Sequence, residues 1–175
     1  HDPSSRSALV FPALEMVRAG KIIGPRSFST GEIVYGAKNP HVYAQIDSKA
    51  DALAHIRRLK AQGAHSIKNY NQPRRDQRQQ VVAAAIEENM RSVAEGGSLF
   101  GLDMTLIADG NTTVEHNVPV ETFYQDVQQF FSRSKVGYTP TLVVTYGGPA
   151  ADPYWRAHTE VWKQPLLQKH VPESV

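Results

Sequence analysis

Apolar positions along the chain alternate between two periods, and the alternation predicts short strands interleaved with helices. Leu9, Val10, Ala13, Leu14, Met16 and Val17 fall at helical spacing between Ser7 and Ala19, before Gly20. Pro12 lies inside this stretch and suits the first turn of a helix that begins there. Ser48 is placed to cap a helix from Lys49 to Gln62, with Asp51 three residues on, an apolar stripe of Leu53, Ile56 and Leu59, and Gly63 as the stop. Further helices are predicted from Arg74 to Asn89 with Val81, Val82, Ala85 and Ile86 inward, and from Ser98 to Ala108 with Leu99, Leu102, Leu106 and Ile107. Another runs from Pro119 to Ser134 with Val120, Phe123, Val127, Phe130 and Phe131. Extended runs fall near 27 to 34, 65 to 68, 91 to 95, 112 to 116 and 138 to 145. The tail from Asp152 to Gln168 is helical around Trp155, Val161 and Trp162 and is interrupted by Pro165.

Strand and helix in turn mean βα units joined by right-handed crossovers, hence an α/β fold with a parallel sheet. Two architectures share that pattern, the open doubly wound sheet and the (β/α)8 barrel. No glycine-rich dinucleotide or Walker-type phosphate loop follows any strand.

Composition narrows the chemistry. With 175 residues, 41% hydrophobic, the chain can bury a core. The net charge is +2 and the densest basic run, Arg74-Arg75-Asp76-Gln77-Arg78, is broken by an acid, so nucleic acid is not an expected partner. No apolar run is long enough to span a membrane. Without cysteine there is no disulfide or thiolate site; a metal would have to use His, Asp, Glu or a modified Lys.

The candidate chemistry sits at strand ends, where α/β folds gather function. Three successive strands end in Lys68, Glu95 and His116. Each has an ordinary alternative: a solvated loop lysine, a helix-capping acid, a packed histidine. Three in succession favour a site. Glu115 precedes His116, and alternation allows only one of the two to face inward. Tyr70, Arg74 and Tyr146 lie near strand ends and are candidate substrate contacts. His41 with Tyr43 could line a pocket; His55 and His158 fall in helical stretches, and His65 starts its strand, away from the chemistry.

Three stretches carry a family resemblance: Glu15-Met16-Val17-Arg18-Ala19-Gly20-Lys21-Ile22-Ile23-Gly24-Pro25-Arg26, Ser66-Ile67-Lys68 and Val114-Glu115-His116. In that order and spacing the chain resembles the metal-dependent amidohydrolase superfamily, in its imidazolonepropionase-like and prolidase-like branch. The resemblance implies a distorted TIM (β/α)8 barrel with one or two divalent ions, zinc foremost, at its top. It implies that Lys68 matches the strand-four lysine, carboxylated in this branch, and His116 the strand-six histidine. It further implies hydrolysis of a C–N bond in a cyclic amide or short peptide.

The chain departs from the family at strand five, where Glu95 stands for histidine as the third ligand. It also shows no His-x-His pair and no strand-eight aspartate, Asp152 coming too soon. The expected content is a partial barrel over residues 1–175, strands two to seven, lacking strand one and strand eight, from a fold of ~250 residues. Two rival expectations stand beside hydrolysis in an intact parent protein. One is a catalytically inactive fragment that pairs exposed sheet edges with a copy of itself. The other is a non-enzymatic module holding an anion at Gly96-Gly97 and Ser98. Cytoplasm and periplasm both stay open as locations.

Overall fold

The computed structural model describes residues 1–38, 44–141 and 158–172. The chain forms two compact units, His1–Pro140 and Thr141–Val175. The first contains α1 (Ser7–Arg18), α2 (Lys49–Ala61), β1 (Ser66–Asn69), α3 (Arg75–Glu87), β2 (Arg91–Glu95), α4 (Phe100–Ala108), β3 (Thr113–Glu115), α5 (Gln125–Ser134) and β4 (Gly137–Thr139). In the second, a short 3-10 turn at Val161–Lys163 precedes α6 (Pro165–His170). Among the described residues no helix is long and apolar enough to cross a membrane.

The protein is therefore α/β, with a four-stranded sheet in the order β1-β2-β3-β4 and every pairing parallel. Two single bridges continue the same order. Val34 pairs with Asn69, its N–H donating to Lys68 O and its carbonyl accepting from Tyr70 N–H. Asp2 pairs with Ser29, through Asp2 N–H to Phe28 O and Thr30 N–H to Asp2 O. The run 27 to 34 is not the regular strand that its pattern suggested. Gly31 breaks it at φ +66°, where a Cβ would lie 2.7 Å from Ser7 Oγ and 3.0 Å from the Phe11 ring. Side-chain hydroxyls take over the local hydrogen bonding: Ser29 Oγ donates to Asp2 Oδ2, and Thr30 Oγ1 to Pro3 O.

Helix starts depart from the expected pattern for local reasons. α1 begins at Ser7, five residues before Pro12, which lies inside it on the exposed side. The Ala8 carbonyl that loses its partner there can be solvated. α2 starts where Ser48 predicts: Ser48 Oγ accepts the Asp51 N–H at 3.2 Å and donates to Asp51 Oδ2 at 2.9 Å. α4 begins at Phe100, leaving Leu99 exposed at its cap. α5 starts at Gln125, not Pro119, because the preceding loop is pinned. Buried Val118 donates its N–H to the Tyr138 hydroxyl, which donates to Asn117 Oδ1. Pro165 opens α6 at its first turn, where a fixed φ is compatible with a helix, and does not interrupt one. The run 142 to 145, Asp152 and Trp155 lie outside the described residues.

The core of the first unit is built where the helices cover the sheet. Ile56, Leu59, Ile67, Val81, Ala84 and Ala85 pack in one buried cluster with Phe11, Val34 and Ile46, and Ala94, Leu106, Ile107 and Val114 in another. On α3 the inward face includes Val81, Val82, Ala84 and Ala85, whereas Ile86 is 69% exposed. The buried stripe passes through Ala85, and Ile86 falls one helical step beyond it.

Leu59→Ala should therefore cost about 2–5 kcal/mol in urea unfolding, and Ile86→Ala within about 0.5 kcal/mol of zero. Equal losses at the two positions would contradict this packing.

Candidate functional site at the strand ends

Parallel register sets the levels of the site. Lys68 on β1 stands opposite Val93 on β2, and Val93 opposite Thr113 on β3. One pleat toward the carboxyl end, Glu95 stands opposite Glu115. Residues paired in this way, and those two apart on one strand, share a face, so Lys68, Glu95 and Glu115 face the same side. A long lysine stem is what spans the step from Lys68 to Glu95: Nζ lies 2.6 Å from Glu95 Oε2. The second carboxylate oxygen, Oε1, is 2.8 Å from His116 Nε2. The three side chains are only 4%, 13% and 21% exposed in the order Lys68, Glu95, His116. Lys68 is thus no solvated loop lysine, and Glu95 does not cap α4, since both its oxygens are engaged across the sheet end.

Strict alternation would turn His116 away from Glu95. Its backbone escapes alternation: β3 stops at Glu115, and His116 adopts a left-handed φ of +71°. This conformation costs a side-chain-bearing residue about 1–2 kcal/mol. It lets His116 reach Glu95 while Glu115, also buried, stays on the strand face and accepts a hydrogen bond from Thr113 Oγ1 at 3.0 Å. The expectation that only one of the adjacent pair could turn inward fails for this reason. With Nε2 on Glu95, the His116 Nδ1 atom is buried and has no hydrogen-bond partner among the described residues.

Behind the pair lies the Gly96-Gly97 turn. Gly96 N–H donates to the Glu115 carbonyl and Gly97 N–H to Asp103 Oδ1, both at 3.0 Å. Neither N–H is free for an anion, and the Asp103 carboxyl occupies the place where one would sit. Asp103 is fully buried on α4. Burial pushes its pKa up to about 6, against the lowering pull of the Gly97 N–H and of His116.

The remaining candidates divide. Tyr70 is half-buried beside the site and packs edge-to-face on Tyr35 at 5.1 Å between ring centroids. Burial raises the pKa of its phenol, and the Glu95 charge and Tyr35 raise it further. Arg74 stands at the start of α3, its backbone N–H donating to Gln77 Oε1; its half-exposed guanidinium pairs with Asp76, Nε lying 3.0 Å from Oδ1. Tyr146, His41 and Tyr43 lie outside the described residues. His55 bonds the Gln45 carbonyl, and His65 packs on Phe28 at the far end of β1. A cavity of about 190 Å³ lined by Leu14, Val17, Phe28 and His65 lies at that far end, apart from Lys68.

Asp103 and Tyr35 were not among the sequence candidates. Asp103 did carry a signal, as the one charged residue in the apolar helix FGLDMTLIA. Tyr35 had none beyond closing the extended run Ile33-Val34-Tyr35 before Gly36.

Among the described residues no group of three or more His, Asp or Glu side chains is gathered as a metal would need. Lys68, as an ammonium, offers no lone pair. The arrangement fits a metal in one respect. An imidazole held through one nitrogen by a carboxylate, with the other nitrogen unpartnered, is how ligating histidines are oriented. It fits fully only if Lys68 becomes an anion. No protein-family model and no curated protein matches the chain.

Asp103 also generates a pH prediction. Its folded pKa of about 6 lies above the ordinary carboxylate value of 3.8, so the folded state holds the proton more tightly. Its stabilising contribution is complete below about pH 4 and is lost as pH rises through 6. Asp103→Asn cannot ionise, so its stability relative to wild type should rise by roughly 1–3 kcal/mol from pH 4 to pH 7 in urea titrations. Parallel pH profiles for the two proteins would contradict the shift.

Proposed function

We propose that the chain carries part of the metal centre of a (β/α)8-barrel hydrolase of the amidohydrolase type, one that cleaves a C–N bond in a cyclic amide or short peptide. The single observation that carries this reading is the Lys68–Glu95–His116 chain, drawn from three successive parallel strand ends. The barrel reading rests on strand order. The segments at Asp2, Ser29 to Val34, and β1 to β4 lie side by side in chain order with no reversal, whereas a doubly wound sheet has a switch point.

His116 and a carboxylated Lys68 would hold one or two divalent ions, with Glu95 as third ligand; zinc suits these nitrogen and oxygen donors. The Lys68 ammonium would first lose a proton, and the neutral amine would then add carbon dioxide with loss of a second, leaving a carbamate anion in place of a cation. Glu95 then loses its counter-charge and faces a second anion, a pair that calls for a cation between them. A bound divalent ion would supply Lewis acidity toward the substrate carbonyl and its water. Tyr70, neutral over a wide pH range because its pKa is raised, borders the site as a hydrogen-bond donor to substrate.

A second reading is a buried structural ion pair in a chain without catalysis. It is favoured by the full engagement of both Glu95 oxygens by Lys68 and His116. Metal content separates the two. In protein expressed from the complete open reading frame with zinc and bicarbonate, wild type should hold stoichiometric zinc. Lys68→Ala should lose the metal, together with turnover of a panel of dipeptides and cyclic amides. Zinc content and turnover unchanged in Lys68→Ala would sink the ligand assignment, and a metal-free wild type would favour the structural pair.

A further inference from the structure

The Gly96-Gly97 turn is gripped from both sides. A Cβ on Gly96 would lie 2.7 Å from the Glu115 carbonyl, 2.7 Å from Val114 Cγ1 and 2.9 Å from Asp103 Oδ1. A Cβ on Gly97, whose φ is +82°, would lie 2.8 Å from the Cβ of His116. The turn therefore threads a gap that only glycine fits, with Asp103 on one wall and His116 on the other. It also joins the site directly, because Glu95 is the residue before Gly96.

We propose that Asp103 is a positioning residue: by accepting the Gly97 N–H it clamps the double-glycine turn against His116 and so fixes the imidazole on Glu95. Three observations carry this. Asp103 is fully buried, its Oδ1 accepts the Gly97 N–H, and its Oδ2 has no partner among the described residues. The clamp explains why a charged group stands in an otherwise apolar helix face. And His116 holds an unfavourable left-handed backbone that needs support from its surroundings. The Gly97 contact against its Cβ supplies that support from one side, and the Thr139 carbonyl, which accepts the His116 N–H at 2.8 Å, from the other. The geometry makes the hydrogen bond, not the charge, the active feature, since an amide oxygen could accept from Gly97 equally well.

The inference rests on the reading that Glu95 and His116 act as a pair, but its test needs no metal. Long-range proton–nitrogen NMR of the histidine rings in the intact protein reports which His116 nitrogen carries the proton. Asp103→Asn, which keeps an oxygen acceptor, should retain the wild-type His116 pattern. Asp103→Leu, which cannot accept, should lose the protected Nε2–H signal while the protein stays folded by circular dichroism. Should Asp103→Leu fail to fold, Asp103→Ser, too short to reach Gly97, is read in the same way. A His116 pattern unchanged in the non-accepting variant, or lost equally in Asp103→Asn, overturns the clamp. Zinc affinity is measured alongside: about tenfold weaker or more in the non-accepting variant, and near wild type in Asp103→Asn, is the expected result. If wild type binds no zinc while the His116 signal follows the Gly97 acceptor, the proposed function fails and the clamp stands.

Discussion

A single carboxylate ties the strand ends together. Glu95 holds an ammonium on one oxygen and an imidazole on the other, and both partners come from neighbouring strands. A carboxylate only 13% exposed must be matched by charge or hydrogen bonds, and here each oxygen has its own partner. The demand propagates outward. Parallel register must set Lys68 one pleat below Glu95. β3 must end early enough for His116 to turn back, and the next two residues after Glu95 must be glycine. Asp103 must then accept the Gly97 N–H that the turn presents.

Such a pair is a poor device for stability. Removing two charges from water costs about as much as their attraction returns, while losing one partner costs about 3–5 kcal/mol because the other is stranded. The left-handed His116 and the buried Asp103 add further cost. Three local costs thus gather around one carboxylate, against a core of ordinary aliphatic packing elsewhere.

Legibility from the sequence followed the range of the determining interactions. Ser48 announced α2 because its cap is closed within four residues, and the end of β2 could be placed because Gly96-Gly97 follows it directly. The three strand-end side chains could be picked out one by one from position; the register brings Lys68, and the left-handed backbone at His116 brings its imidazole, within hydrogen-bonding reach of Glu95. What escaped depends on distant partners. The run 27 to 34 reads as extended, but Ser7 and Phe11 press on Gly31 and bend it. Pro119 reads as a helix start, but Tyr138, nineteen residues on, holds the loop instead. The turning of His116 toward Glu95 contradicts alternation and is set by a backbone conformation that no residue pattern near it advertises. Asp103 was visible as an acid among apolar residues, yet its partner, a backbone N–H in the turn, leaves no trace in side-chain chemistry.

Anomalous diffraction at the zinc edge from crystals of the zinc-loaded protein tests the central claim most directly. The account predicts a peak at bonding distance from a ring nitrogen of His116, with density for a carbamate on Lys68 in place of its contact with Glu95. No peak there, with Lys68 Nζ still on Glu95, would contradict it and leave the three side chains as a buried ion pair.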